Sequence, residues 1–385
     1  YPSEDFSFAK DIPEDVEILK RPIWEPYDIY RSLTGKKGKR INAGFISENK
    51  KSGWKDRLSI WLRGNLLIPD PRRFWIKPSV KFLTDYLIKN PVDAVITTGP
   101  PHSMHLIGLE LKKKFPKLKW IADFRDPWTN IDFYKDLNLT KLANKVHHRM
   151  EREVVQGADC VVVVSNEMMK EFAVLNPKQL ELITNGFDKD DVADINVKPD
   201  KQFTLSHIGT LNAARNPKSL WKVLGELVQF HEDISRDLRI QLIGKIDFSV
   251  TEDLEKNGLS DKLIKADYIQ HNEAIIRQQS SQVLLLLINN TQNAKGVLTG
   301  KFFEYLASGR LILAVGPSDG DVAEVLRETG AGQIADFEDE QGMKSIVLDY
   351  YENYKKGELA VAVHSIEKYS RKELTERLAN LLNSM

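Results

Sequence analysis

The sequence predicts an α/β protein with two parallel sheets, and three observations support this fold class. From about residue 92, short apolar runs alternate with amphipathic stretches. Runs such as VVVV at 161–164 and VLLLLI at 283–288 contain no polar residue, as expected for parallel strands covered on both faces. A polar stretch without periodicity, residues 188–202, separates two such series and predicts a linker between two domains.

The elements follow from these patterns in chain order. Strands are predicted at residues 93–97, 120–124, 160–164, 182–184, 203–208, 239–243, 283–288 and 311–315. Helices are predicted at residues 141–156, 218–231 and 273–279, from about residue 300, and at 367–382, where the first half is basic. Repeated alternation of strand and helix is typical of a parallel α/β sheet.

Composition excludes several classes of protein. The chain of 385 residues has room for roughly two domains. Lys plus Arg and Asp plus Glu balance at 55 each, so no overall charge favours nucleic acid as a partner. A single cysteine, Cys160, allows no internal disulfide and fits a reducing compartment. No apolar run approaches the ~20 residues of a spanning helix. These features predict a cytoplasmic protein.

Polar and glycine-rich residues follow several of the predicted strands. In open parallel sheets, ligands bind beyond the carboxyl ends of the strands, so several such loops favour a shared cleft. His102 follows the first strand and Asp126 follows the second, so both are candidates to face the cleft. The alternative for Asp126 is a cap before Pro127. His147 and His148 lie in the middle of a helix and are predicted at the surface.

The stretch GVLTGKFFEYLASGRLILAVG at 296–316 places a carboxylate, Glu304, inside an apolar helix. An unpaired buried charge is costly, so Glu304 needs a partner from the protein or from a ligand. Thr299 is the predicted N-cap, and the free amides of the helix start form an anion site to which Lys301 adds charge. A phosphate joined to a sugar with two hydroxyl groups fits this arrangement. The alternative is a salt bridge from Glu304 to a neighbouring Arg or Lys.

Residues 31–63 form a basic amphipathic segment, within a longer unusual stretch at 21–77. Ten Lys or Arg residues face two acidic ones, which gives a local net charge of +8 in a neutral protein. Trp54, Leu58, Trp61 and Leu62 are spaced for one helical face. This pattern predicts peripheral contact with a membrane that contains anionic lipids. The alternative is a solvated helix whose apolar face packs on its own domain.

The stretch GVLTGKFFEYLASGRLIL closely resembles the donor-site motif of family 4 glycosyltransferases, which have the GT-B fold. The resemblance extends to GTLNAARNPKSL, NGFDKDD, TGPPHSMHL, IADFRDPW and YSRKELTERLANLL, and it is greatest for bacterial members that build surface polysaccharides. It implies two Rossmann-like domains with parallel sheets that face across a cleft. On this basis the N-terminal, acceptor-side domain is residues 1–187, and the donor-binding domain is 203–365. Residues 366–385 are expected to form a helix that crosses back to the N-terminal domain.

The resemblance also implies roles for particular residues. In such enzymes the glutamate that matches Glu304 binds the ribose hydroxyls of the nucleotide. The family has an Arg directly after the glycine that matches Gly209 and a Lys five residues later, and both bind the donor diphosphate. Here the first position is Thr210, and the second is Arg215, which keeps the charge. Many members carry another glutamate where this chain has Gly296, so that carboxylate is absent or replaced by a neighbour.

Together these arguments predict a metal-independent glycosyltransferase without a cofactor, and the resemblance implies that the anomeric configuration is retained. Its donor would be a nucleotide-diphosphate sugar, and its acceptor a saccharide or lipid-linked saccharide. The predicted donor-binding residues are Gly209, Thr210, Arg215, Thr299, Gly300, Lys301 and Glu304. The predicted catalytic residues are His102, Arg215 and Asp126. The alternatives are a GT-B nucleotide-sugar epimerase and a non-catalytic GT-B binding subunit. Compared with the family, roughly 50 residues of the first domain are expected to precede this chain.

Overall fold

The computed structural model describes residues 12–24, 54–191, 197–359 and 364–385. The chain divides into two compact units. The first comprises the described residues up to Val162 together with Phe172–Leu180, and the second comprises Val163–Glu171 and the described residues from Glu181 onward. Contacts therefore group residues 181–191 with the second unit, while the domain limits and the linker inferred from the sequence stay a prediction.

The first half of the chain contains a four-stranded sheet in the order β1–β2–β3–β4, in which β1 and β2 are parallel. The strands are β1 (Ala94–Gly99), β2 (Lys119–Phe124), β3 (Cys160–Val163) and β4 (Leu180–Leu182). The helices are α1 (Trp54–Leu66), α2 (Ile76–Lys89), α3 (Ser103–Lys114), α4 (Lys141–Gly157) and α5 (Asn166–Ala173). Short 3-10 helices lie at Pro71–Trp75 and Tyr134–Leu137.

The second half contains a six-stranded parallel sheet in the order β10–β9–β8–β5–β6–β7. The strands are β5 (Phe203–Ile208), β6 (Leu238–Ile243), β7 (Leu263–Ala266), β8 (Val283–Leu287), β9 (Leu311–Val315) and β10 (Gly332–Ala335). The helices are α6 (Lys218–Phe230), α7 (Glu232–Asp237), α8 (Phe248–Lys256), α9 (His271–Ser280), α10 (Gly300–Ala307), α11 (Asp321–Thr329), α12 (Glu340–Lys356) and α13 (Arg371–Ser384). Short 3-10 helices lie at Ala213–Arg215, Ser260–Lys262, Ala294–Gly296 and Ile366–Tyr369.

Strand β8 shows why the leucine run does not alternate with polar residues. Leu285 belongs to a buried cluster with Trp221 and Tyr350 from α6 and α12. Its neighbour Leu284 belongs to a second cluster, with Phe302 from α10. Because successive side chains of a strand point to opposite faces, a strand covered on both faces must be apolar throughout. The predicted parallel sheet is confirmed.

The sequence does not predict two strands, β7 and β10, and both lie at the edges of the six-stranded sheet. β7 is half-exposed, and β10 is short and contains Gln333, so neither forms a long apolar run. The strand expected at 182–184 instead occupies Leu180–Leu182. Within the described ranges, none of the helices combines the length and the apolar composition that crossing a bilayer requires.

Candidate functional site

A small cavity in the second unit brings together several residues predicted to bind a donor. Its volume is about 70 Å³. Its polar lining comes from His207, Arg215, Thr299 and Lys301. Its apolar lining comes from Leu286, Leu287, Ile288, Val297 and Phe302. Two cations on an otherwise apolar wall suit a small anionic group.

Lys301 enters this cavity over the backbone of Gly209. A Cβ atom placed on Gly209 would overlap Lys301 Nζ, and Gly209 has φ +134°, a conformation that favours glycine. Within the described part of the chain, the ammonium makes no hydrogen bond or ion pair. Burial and the charge of Arg215 lower the pKa of Lys301 to about 8, although Glu304 opposes this shift. Lys301 is thus a half-buried cation that lacks an anion.

Arg215 is held at the cavity by a polar side chain from the neighbouring strand end. It closes the 3-10 helix Ala213–Arg215, whose N-cap Asn212 accepts a hydrogen bond from the Arg215 backbone amide. Its guanidinium Nε donates to Asn289 Oδ1 at 2.8 Å. Asn289 lies two residues after the end of β8. This hydrogen bond fixes the orientation of the guanidinium at the cavity.

Helix α10 begins at Gly300, as the sequence predicts, with Thr299 at the N-cap position. The Thr299 side chain makes no capping hydrogen bond, so Thr299 contributes to the helix start only through its extended backbone. A Cβ placed on Gly300 would meet no described atom within 4 Å. The first amides of α10 therefore lie beside open space, where partial positive charge is available to an anion.

Glu304 lies one turn into α10 and is half-buried. Gln278 of α9 donates to its Oε2 at 3.2 Å. Among the described residues no Lys or Arg nitrogen lies within 4.0 Å of its carboxylate, so the alternative of a salt bridge is not what the geometry shows. A partly buried carboxylate with one neutral donor retains acceptor capacity for further hydroxyl groups.

Gly296 and Thr210 mark the two departures from the family pattern. A Cβ placed on Gly296 would lie 3.0 Å from Cβ of Glu167 and 3.2 Å from Oγ of Ser165. The space for a longer side chain at 296 is therefore filled by α5. Thr210 is half-buried and directly follows Gly209, but it is not part of the cavity lining.

His102, in the first unit, is the N-cap residue of α3 and is almost fully buried. Its imidazole stacks on Trp128, with ring centroids 4.7 Å apart and an interplanar angle of 4°. Burial, followed by the charge of His147, lowers the pKa of His102 to about 3, so its ring is neutral at physiological pH. The start of α3 is already occupied by a carboxylate, because Ser103 N donates to Asp70 Oδ2 at 2.8 Å.

The loop that carries Trp128 is fixed from α4. Glu151 accepts hydrogen bonds from Thr129 N at 3.0 Å and from Thr129 Oγ1 at 2.7 Å. The indole Nε1 of Trp128 donates to His147 Nδ1 at 3.1 Å. The prediction that His147 lies at the surface is therefore wrong: it faces inward to receive this bond, while His148, the next residue, is exposed.

Asp123 lies within the carboxyl end of β2, and Asp126 lies two residues beyond the strand. Asp126 is exposed, but its surroundings limit hydration of the carboxyl group. This, with the charge of Asp132, raises its pKa to about 6. Asp123 is buried and accepts from Arg125 Nε at 3.0 Å and from Thr98 Oγ1 at 3.2 Å. The roles predicted for His102 and Asp126 stay predictions.

Sequence reasoning missed four residues of these two sites. They are His207, Gln278, Asn289 and Trp128. A signal was available for two of them: His207 is an ionisable residue within the predicted strand FTLSHI, and Asn289 is a polar residue directly after the apolar run VLLLLI. Gln278 gave no signal of this kind, because polar residues are ordinary on a helix.

Comparison with known proteins supports the fold. No protein-family model matches the chain, and no curated protein matches it. Among solved structures, sucrose-phosphate synthase from Thermosynechococcus elongatus has a TM-score of 0.58 at 12% identity over 81% of this chain and 78% of that chain. The Anabaena HepE complex with UDP-glucose has a TM-score of 0.56 at 13% identity over 80% and 82%.

A third similar structure is the lipopolysaccharide outer core galactosyltransferase WaaB, with a TM-score of 0.54 at 14% identity over 81% of this chain and 80% of that chain. At these identities the likeness shows the fold alone. It confirms the α/β class with two parallel sheets, of four and six strands, as in GT-B proteins.

Proposed function

We propose that this protein is a glycosyltransferase that moves a sugar from a nucleotide-diphosphate sugar to a saccharide or lipid-linked acceptor. One observation carries the proposal: Lys301 and Arg215 line a single cavity beside the start of α10, and the Lys301 ammonium has no anionic partner among the described residues. A half-buried, unpaired cation is costly for the free protein, so its presence is best explained by an anionic ligand.

The donor is held at two points in this proposal. Arg215, Lys301 and the first amides of α10 bind the diphosphate. Glu304, one turn further along the same helix, accepts hydrogen bonds from the two ribose hydroxyls. Gln278 on α9 orients its carboxylate from the other side. Gly209 serves the site indirectly, because only a glycine leaves room for the Lys301 ammonium.

The same cations assist the chemistry. The oxygen of an acceptor hydroxyl bonds to C1 of the donor sugar as the bond from C1 to the phosphate oxygen breaks. The electron pair stays on the released nucleoside diphosphate, which also takes up the hydroxyl proton. Negative charge therefore grows at the diphosphate in a transition state with oxocarbenium character, and Arg215 and Lys301 are placed to stabilise it. Retention of the anomeric configuration is part of the proposal.

Residues of the first unit contribute to the acceptor site. Asp126 is exposed and ionises with a pKa of about 6, so at neutral pH its carboxylate accepts a hydrogen bond from a second, non-reacting hydroxyl group of the acceptor. His102 is neutral and stacked on Trp128, which gives it a fixed orientation without a charge. It acts as a hydrogen-bonding group rather than as a general base, because a pKa of about 3 makes it a weak proton acceptor.

Uracil is the first base to test. HepE was solved with UDP-glucose bound, and this chain shares that fold. WaaB is a lipopolysaccharide galactosyltransferase, which is compatible with a role for this chain in bacterial surface polysaccharides. Neither likeness determines the donor or the acceptor of this chain, so both are part of the proposal.

A peripheral position on the inner face of the cell membrane completes the proposal. Most of the basic segment 31–63 lies outside the described residues, but its end forms α1. Leu58 and Trp61 on α1 are 46% and 37% exposed, so the interpretation that this face packs fully on its own domain is not supported. Phe74 and Trp24 form an exposed aromatic pair with ring centroids 4.8 Å apart, beside Arg73. Such a surface suits anionic lipid.

Calorimetric titration with UDP and with uridine tests the donor site. The wild-type protein should bind UDP more tightly than uridine, and Arg215→Ala should remove most of that difference. Lys295→Ala is the matched control, because Lys295 is exposed and already pairs with Asp319. If Arg215→Ala keeps the preference for UDP, the diphosphate assignment is wrong. GDP and ADP titrated in parallel identify the base, and transfer from the matching sugar nucleotide distinguishes an enzyme from a binding subunit.

A further inference from the structure

A buried histidine lines the same cavity without any role in the scheme above. His207 lies in β5 among apolar residues, and it is 1% exposed. Its ring reaches the cavity that Arg215, Thr299 and Lys301 also line. A fully buried imidazole has a desolvation cost, so each ring nitrogen should have a function or a partner.

The hydrogen bond at one ring nitrogen fixes the tautomer. His207 Nδ1 lies 3.1 Å from the carbonyl oxygen of Leu285 in β8. A carbonyl oxygen only accepts, so Nδ1 carries the proton and donates. In the neutral ring Nε2 then has a free lone pair, and it makes no hydrogen bond within the described part of the chain.

The ring stays neutral because of its surroundings. Burial, followed by the positive charge of Lys301, lowers the pKa of His207 to about 3, and Arg215 contributes further. The backbone groups of Leu285 and Thr210 oppose this shift only in part. Nε2 is therefore an uncharged acceptor over the whole physiological pH range, in a cavity that two cations also line.

Lys301 is the donor that matches this acceptor. Its ammonium has three N–H groups and no partner among the described residues. The charged groups that act on it are Arg215, from the 3-10 helix, and Glu304, three residues later on its own helix. Residues three apart on a helix are neighbours, so Glu304 competes for the Lys301 ammonium.

We propose that His207 is a positioning residue. The two groups line one cavity without a hydrogen bond between them in the described structure, and when the diphosphate binds, Nε2 accepts a hydrogen bond from the Lys301 ammonium and holds that cation towards the ligand. This inference rests on the proposed donor site. A carboxylate in the place of His207 would also hold the ammonium, but it would neutralise the charge and repel the ligand. A neutral imidazole orients Lys301 without reducing its positive charge, so Glu304 can bind the ribose instead of the ammonium.

Two substitutions separate this role from a structural one. In His207→Asn the amide can still donate to Leu285, but nothing occupies the position of Nε2. In His207→Gln the longer side chain can place an oxygen acceptor near that position. Without an acceptor the ammonium form of Lys301 is less stable, so its pKa falls. With the acceptor restored, the pKa should return towards that of the wild-type protein.

The probe is inorganic pyrophosphate, titrated by calorimetry into the full chain from pH 6.5 to 9.5. Affinity should decline as pH rises through the pKa of Lys301, about 8 in the wild-type protein. His207→Asn should weaken binding about 5- to 10-fold at pH 7.5 and should move the decline to lower pH. His207→Gln should restore both. The titration of pyrophosphate itself is common to all variants and cancels in their ratios.

The outcomes are distinguishable from those of the proposed function. The inference would be overturned if His207→Asn bound pyrophosphate with wild-type affinity and the affinity declined at the wild-type pH. It would also be overturned if both variants lost affinity equally without a shift in the pH of the decline. Thermal unfolding identifies a variant that has lost its fold. If His207→Asn is unfolded, pyrophosphate binding is compared instead between His207→Gln and Lys301→Ala. If UDP binds no better than uridine to the wild-type protein, the donor assignment fails, whatever pyrophosphate shows.

Discussion

The imidazole of His102 lies parallel to the indole of Trp128, at 4.7 Å between ring centroids. This stack joins the end of β1 to the loop after β2 within the first unit. Trp128 is itself fixed by its donor bond to His147 and by the bonds from the next residue, Thr129, to Glu151. The orientation of His102 therefore depends on α4, a helix that contributes no residue to the predicted site.

Trp128→Ala should lower the free energy of unfolding by about 3–5 kcal/mol, because it removes a large buried side chain and leaves a cavity. Trp128→Phe keeps a ring against His102 and loses the bond to His147, so a smaller loss of about 1–2 kcal/mol is expected. Urea denaturation measures both changes. Trp61→Ala is the matched control, since Trp61 is partly exposed and should change stability by less than about 1 kcal/mol. Equal effects at the two positions would contradict the packing described here.

Asp126 should impose an acid limit on activity. Its pKa is raised to about 6, so its carboxylate is ionised above that pH and becomes protonated below it. If the ionised form accepts a hydrogen bond from the acceptor, kcat/KM falls about tenfold per pH unit below pH 6. Asp126→Asn should lower kcat/KM by about 10- to 150-fold at pH 7.5 and should abolish this limb. A limb unchanged in the variant assigns it to another group.

Asn289→Ala should weaken diphosphate binding through Arg215. The substitution removes the acceptor that holds the guanidinium Nε at 2.8 Å, without removing any charge. A neutral acceptor contributes about 1 kcal/mol, so UDP affinity should fall about fivefold while uridine affinity stays constant. Asn293→Ala is a control on the same loop, because the Asn293 side chain accepts a hydrogen bond from Thr291 Oγ1 and not from Arg215. A parallel loss of uridine binding would show that the loop itself has moved.

The sequence predicts the frame of this protein better than the details of its site. The predicted limits of β5 and β9 match the structure to the residue. In β9 every residue is apolar, so the limits of the run are the limits of the strand, whereas β5 also contains three polar residues. The start of α10 at Gly300 also agrees with the prediction, although the Thr299 side chain makes no capping hydrogen bond. Local patterns contain no information on long-range polar pairs such as Arg215 with Asn289, which are 74 residues apart. For the same reason the sequence predicts His147 at the surface, whereas its ring faces inward to bind Trp128, 19 residues away.

Membrane binding should depend on the exposed apolar residues of α1 and on charge. Leu58→Ser with Trp61→Ser removes apolar surface from α1, so sedimentation with liposomes that contain anionic lipid should decrease several-fold. Each basic residue near such a surface contributes about 1 kcal/mol, so added salt should also weaken binding of the wild-type protein. Phe230→Ser is the control, because Phe230 is an exposed aromatic residue of the second unit. Equal sedimentation with neutral and anionic liposomes would contradict the proposal.

Glu304→Gln should weaken nucleoside binding more than it weakens pyrophosphate binding. The amide keeps the size of the side chain, but it is a weaker acceptor for two ribose hydroxyls. Hydrogen bonds to a charged group contribute about 1.5–3 kcal/mol, so UDP affinity should fall about 10- to 150-fold. The opposite pattern is expected for Arg215→Ala. Titration of UDP and pyrophosphate into each variant therefore separates the ribose contact from the diphosphate contact.

Two comparisons make this assignment of Glu304 decisive. Glu338→Gln removes an exposed carboxylate of the same unit and should leave both affinities unchanged. 2′-Deoxy-UDP removes one ribose hydroxyl from the ligand, so its disadvantage against UDP should be large for the wild-type protein and small for Glu304→Gln. A disadvantage of equal size in the two proteins would mean that Glu304 does not contact the 2′-hydroxyl. The carboxylate would then serve the helix and Gln278 rather than the donor.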